Sequence, residues 1–273
     1  MSRGLVRELV RLGWPVLIAQ LAVMANSVID TIMAGRYGTL DLAAVGIGSS
    51  IYFSVFVSLM GVLLALTPIV AHSYGAGRHA EIGEELRQSA WLAAALASVS
   101  FLLFAYPEPF LAVARLEPDL EVRVRVYLHA LAWSVPASLL FRVFYSFSTA
   151  ISRPRTVMAL TLIGLALKVP LNWVFMYGNL GAPELGSTGC AVATALVSWI
   201  VCTLAWAWCW FEPGYRPFRV FAHWSWPDAK ALGRILSLGL PIGLTFLIDV
   251  TGFTFMALFI ARLALMAVAL ALL

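Results

Sequence analysis

Seven stretches of this sequence, at about 14–33, 46–70, 89–106, 126–147, 156–177, 189–211 and 235–259, stay apolar for long enough to cross roughly 30 Å of hydrocarbon as helices. Hydrocarbon offers no partner to a backbone N–H or C=O, so each run is expected to bond within itself as a helix. The expected fold class is therefore an all-α polytopic membrane protein. Composition agrees: 62% of the 273 residues are hydrophobic and 12% charged, against about 45–50% and about 25% in soluble domains. The net charge of +4 does not point to nucleic acid, because the basic residues are scattered between spans and not gathered on one face.

An odd number of crossings puts the termini on opposite sides. With the N-terminus in the cytoplasm, Arg3, Arg7, Arg11, Arg78, Arg87, Arg153, Arg155, Arg216, Arg219, Lys230 and Arg234 lie inside. Arg36, Arg115, Arg123, Arg125 and Arg262 then lie outside, so the positive-inside rule selects this orientation. The basic start followed by an apolar run resembles a secretory signal, but the run is too long and lacks a small-residue cleavage site, so it is read as the first helix. Residues 73–79, with Gly75 and Gly77, read as a cytoplasmic turn, 107–125 as an external loop with a short surface helix, and 212–234 as the longest inside connection. Trp14, Tyr37, Tyr106, Tyr177 and Trp210 suit interfacial belts. Cys190, Cys202 and Cys209 share one span without a C-x-x-C pair and read as packing residues.

The first span is echoed once. Leu12-Gly13-Trp14-Pro15 aligns with Leu238-Gly239-Leu240-Pro241, and the same offset carries Arg36 onto Arg262. The expected organisation is a two-lobed transporter of which this sequence holds a six-helix lobe (1–211), a cytoplasmic inter-lobe linker (212–234) and the first helix of a second lobe (235–273), truncated after it. Pro15, Pro68, Pro136, Pro170 and Pro241 fall in or near spans. They read either as kinks that free carbonyls for ions or as prolines tolerated by neighbouring helices.

Of the 14 acids, only Asp30 and Asp249 fall inside spans; the others, Asp41 included, fall in loops or at span ends. A carboxylate at mid-membrane costs on the order of 2.5–3.5 kcal/mol to insert. A mobile positive partner is therefore expected for both: a proton, or Na+ where carbonyl and amide oxygens complete the shell. Asp249 is too deep to reach a surface, whereas Asp30, near Met33, has the alternative of turning out to the interface. Asn26, one helical turn before Asp30, is its expected companion. Asn172, just past Pro170, reads either as a ligand or as a helix-to-helix hydrogen bond. Lys168 either extends to the inner surface or pairs with an acid or carbonyl, and Arg142 reads as reaching that surface. Beyond Na+ at Asp30 or Asp249 no metal or cofactor is expected. His72, His79, His129 and His223 are scattered, and no nucleophile–base spacing suggests an enzyme.

Pro15 with Val28-Ile29-Asp30-Thr31-Ile32-Met33-Ala34-Gly35-Arg36, then Leu42-Ala43-Ala44-Val45-Gly46 and Ala71-His72-Ser73-Tyr74-Gly75-Ala76-Gly77, resemble the multidrug and toxic compound extrusion (MATE) family, NorM type. Pro170-Leu171-Asn172-Trp173-Val174-Phe175, Gly181-Ala182-Pro183-Glu184-Leu185-Gly186 and Gly239-Leu240-Pro241-Ile242-Gly243 extend the resemblance. It implies half of a pseudo-twofold twelve-helix fold, with cation or proton sites at Asp30 and at Asp249, where the family usually has Glu. Some relatives have a further acid where this sequence has Met176, and often one near Thr149. The implied function is secondary antiport, exporting cationic drugs in exchange for Na+ or H+ by alternating access. The alternatives are a lipid-linked saccharide flippase, and a non-transporting remnant or inactive fragment. The expected partners are small cationic substrates and the lipid bilayer, with no oligomer, and the expected location is the bacterial inner membrane.

Overall fold

The computed structural model describes residues 3–114, 116–222 and 225–271, with side chains left undescribed at 3–10, 113 and 253–271. The readings that rest on the side chains of Arg3, Arg7, Arg115, His223 and Arg262 lie outside the described residues. Among the described residues, ten α-helices account for the architecture: α1 (Arg3–Tyr37), α2 (Thr39–Leu63), α3 (Leu66–Gly75), α4 (His79–Ala105), α5 (Glu108–Ala114), α6 (Pro118–Ala132), α7 (Val135–Ala150), α8 (Pro154–Tyr177), α9 (Ser187–Phe211) and α10 (Ala229–Ala271). Six continuous or nearly continuous helical segments are long and apolar enough to cross a membrane, and α6 with α7, bent by 46°, makes a seventh.

Proline accounts for two interruptions. Pro68 has no N–H for the Leu64 carbonyl, which instead accepts from the Thr67 amide at 3.0 Å where α2 gives way to α3. Pro136, at the start of α7, likewise deprives the Ala132 carbonyl, and the chain bends there. The Trp199 indole donates to the Trp133 carbonyl at 2.9 Å, and the Tyr52 hydroxyl lies 3.0 Å from Ser134 Oγ, so the polar groups at the bend are satisfied from neighbouring helices. Pro15, Pro170 and Pro241, by contrast, sit within unbroken helices.

The charged stretch at 107–125 holds a short helix, as expected, but is less of a loop than expected. It holds α5 and then the first half of the bent pair, so α6 begins at Pro118 and not near 126. α10 starts at Ala229, six residues earlier than the apolar run suggests, because its first turns are polar and resemble linker in sequence.

α2 packs against α1, α6 and α10, while α8 packs between α1 and α9, and α4 against α7. Leu63, Leu66, Ile82, Phe104, Phe144 and Phe147 are fully buried at the centre. The connection after α9 is part of this core. Tyr215 and Phe218 bury against Phe147, with ring centroids 5.5 and 5.2 Å away. α4 then holds the segment down: Arg87 donates to the Val220 carbonyl (2.9 Å), Gln88 to the Trp226 carbonyl (3.0 Å), and Glu85 pairs with Arg234.

The two ends of the bundle are chemically distinct. The end where α1 begins gathers these linker contacts; the other carries Tyr37, Asp41, Arg123 and Ser187. α8 stops at that far end because Gly178 adopts φ +70° and ψ 26°, its amide bonding the Val174 carbonyl, and Glu184 closes over it. A side chain there would be strained in backbone and in space.

Candidate functional site

Asp30 lies on the face of α1 that packs against α8. On α8, Lys168 and Asn172 are four residues apart and so share a face; both are buried, at 2% and 0% exposure. Lys168 Nζ is 3.1 Å from Asp30 Oδ2, and Asn172 Nδ2 donates to Asp30 Oδ1 at 2.7 Å. α9 supplies the third side: Lys168 Nζ also donates to Thr194 Oγ1, whose hydroxyl donates to the Cys190 carbonyl at 2.8 Å. Tyr177 Oη donates to the Met33 carbonyl at 3.0 Å, locking the far ends of α8 and α1 together above the cluster. One buried polar atom of the cluster has no partner: Asn172 Oδ1. A buried carbonyl left without a donor costs about 1–3 kcal/mol.

Sequence and structure part company at several positions. Asp30 has a fixed positive partner, Lys168, where a mobile one was expected. Of the two readings left open for Lys168, the pairing with an acid is the one adopted. Asn26 does not accompany Asp30; its Nδ2 turns back to its own helix and donates to the Ala22 carbonyl at 3.1 Å. Asp249, expected deep in its span, is exposed on α10. Arg142 is half-buried and stacks over Tyr145, 4.5 Å from the ring centroid.

Two residues of the cluster, Thr194 and Cys190, carried no signal in the sequence, since a Thr or Cys in an apolar span is ordinary. A third oversight is larger. Asp41, read as a span-end acid, is 4% exposed. Both its oxygens accept from Arg123 Nη1, at 3.0 and 2.9 Å, and Oδ1 also accepts from the Ser187 amide at 2.8 Å. It thus joins the first turn of α2 to α6 and caps α9. The one sequence clue was an acid in the first turn of a helix.

Two open recesses lie among the described residues, and neither borders Asp30. One of about 440 Å³ lies between α4 and α7 against Ala97, Phe101, Pro136 and Leu140. The other, about 350 Å³, is lined by Arg11, Arg153, Arg155 and Thr156 at the start of α8.

The MatE family model matches residues 15–174, more than half of the chain and all of the segment carrying Asp30, Lys168 and Asn172. The chain belongs to the MatE family. A MatE relative described as a probable multidrug resistance protein NorM, from Aromatoleum aromaticum, is 44% identical over 94% of this chain, which spans 56% of that protein. The multidrug resistance protein PmpM of Pseudomonas aeruginosa is 36% identical over 96% of the chain, again 56% of its own length. Among solved structures, the MATE transporter NorM-NG, in a complex that includes a monobody, superposes with a TM-score of 0.73 at 33% identity, covering 90% of this chain and 54% of that one. An outward-facing multidrug resistance MATE transporter gives 0.78 at 18% identity, a likeness of fold alone. The chain is thus a multi-pass MatE membrane protein spanning about half the length of the relatives it matches.

Proposed function

We propose that this chain forms the first lobe, with the opening helix of the second, of an antiporter that exports organic cations in exchange for Na+ or H+ by alternating access. The observation that carries this reading is Asp30: a half-buried carboxylate within a span, held by an ammonium and an amide, in a chain similar to proteins described as multidrug resistance proteins. An acid so placed can exchange one positive partner for another with no covalent step, which is what coupling two cation fluxes requires. Asp249, exposed on α10, is read as the corresponding acid of the second lobe. The flippase reading is less well supported, because Lys168, the deepest base, is neutralised by Asp30. The end where α1 begins is assigned to the cytoplasm, in the bacterial inner membrane, since Arg78, Arg87, Arg153, Arg155 and Arg234 lie there.

The test is export of a cationic dye from a drug-sensitive bacterium expressing the chain alone, or joined to the second half of the Aromatoleum relative. At least one form is expected to lower dye retention, and Asp30→Asn to abolish that effect with membrane insertion intact. Efflux at the unmutated rate in the Asp30→Asn form rejects the role of Asp30; no efflux from either inserted form rejects the exporter.

A further inference from the structure

The Asp30 cluster has the composition of a cation site and already contains a cation. The acceptors around the ammonium are hard oxygens, from Asp30 and the Thr194 hydroxyl, and the Asn172 amide that donates to Asp30 keeps its own carbonyl oxygen buried and without a donor. Oxygen sets of this kind suit Na+. Lys168, 2% exposed on the facing helix, puts its ammonium on Asp30 and Thr194. Met176, one turn beyond Asn172 on α8, is fully buried and apolar, and Tyr127 and Cys190, the other ionisable side chains beside Asp30, are a buried phenol and thiol. One carboxylate therefore faces one ammonium.

We propose that Lys168 is a tethered substitute for the coupling ion at this site: its ammonium occupies the position between Asp30 and Thr194 that Na+ would otherwise take. This rests on reading Asp30 as the cation-responsive acid of the lobe and adds to it that the acid does not bind Na+ in this chain. Two physical effects favour the tethered ion. It is held by its own helix at high effective concentration and has already lost its water. A Na+ entering beside it would place a second positive charge next to the first in a medium that screens poorly, with no second carboxylate to balance it. Removing the ammonium leaves the oxygen set intact and in need of a cation.

The experiment measures thermal unfolding of the purified chain in detergent at constant ionic strength, with NaCl compared to choline chloride. The unmutated chain is expected to unfold at the same temperature in both. Lys168→Met is expected to gain a saturable Na+-specific rise of about 3–5 °C, and the double variant Asp30→Asn/Lys168→Met to lose it. Lys168→Gln, which keeps a donor for Thr194, serves if the Met variant does not fold. A Na+-specific rise in the unmutated chain that Asp30→Asn removes overturns the proposal, as does a folded Lys168 variant indifferent to Na+. Neither outcome bears on dye export, so this inference and the exporter reading fail separately.

Discussion

Leucine at Gly239 is expected to lift α10 from α2 and to destabilise the fold by about 2–3 kcal/mol. The two helices touch through glycine. A methyl group at Gly239 would overlap the Val62 carbonyl oxygen, one at Gly61 would stand 2.7 Å from Gly243 Cα, and one at Gly243 2.9 Å from the Ser58 carbonyl. The obstructing atoms are backbone, so they have little room to yield. In lipid, helices gain nothing by hiding apolar surface from water and associate through such close packing instead. Gly13, the matching position in the repeated motif, has open space around it. Gly13→Leu is accordingly expected to change stability by no more than about 0.5 kcal/mol. Thermal unfolding of both variants, with maleimide labelling of Ser58→Cys on the face of α2 that α10 covers, checks the contrast. Equal effects at the two glycines would contradict the packing.

Alanine at Asp41 is expected to cost about 2–4 kcal/mol. It strips the acceptor from the Ser187 amide, which is buried at the first turn of α9, and releases Arg123. Most of the loss is assigned to the stranded amide, because the Arg123 side chain is 44% exposed and can return to water. Asp41→Asn keeps an oxygen for Ser187 and is expected to lose less than half as much. Chemical or thermal unfolding of the two variants gives the comparison, and an Asn variant as unstable as the Ala variant would shift the credit to the ion pair.

How much of this was legible beforehand depended on whether a signal was local. Spans are local: each apolar run bonds its own backbone, so their number could be read once α6 and α7 were taken as one bent crossing. Proline was only half informative, because whether Pro68 breaks a helix while Pro170 does not is decided by neighbours. In the site, Asp30, Lys168 and Asn172 each stood out as a polar residue in an apolar run. That they meet could not be read, since α1 and α8 are far apart in sequence and the approach is set by packing. Asn26 misled because shared helical spacing shows which side chains can meet, and its amide found the nearer Ala22 carbonyl. Asp41 misled for the opposite reason: a span-end acid is usually solvated, and its partners come from α6 and α9.

The most direct measurement is a double-mutant cycle on the pair that joins α1 to α8, with the unfolding free energies of the unmutated chain, Asp30→Asn, Lys168→Met and the double variant determined in choline chloride. A coupling of about 2 kcal/mol or more is expected, because removing Asp30 strands the buried Lys168 ammonium and removing Lys168 leaves the half-buried carboxylate without its cation. Additive losses, agreeing within about 0.5 kcal/mol, would mean that Asp30 and Lys168 do not act on one another, and the site built around them would not stand.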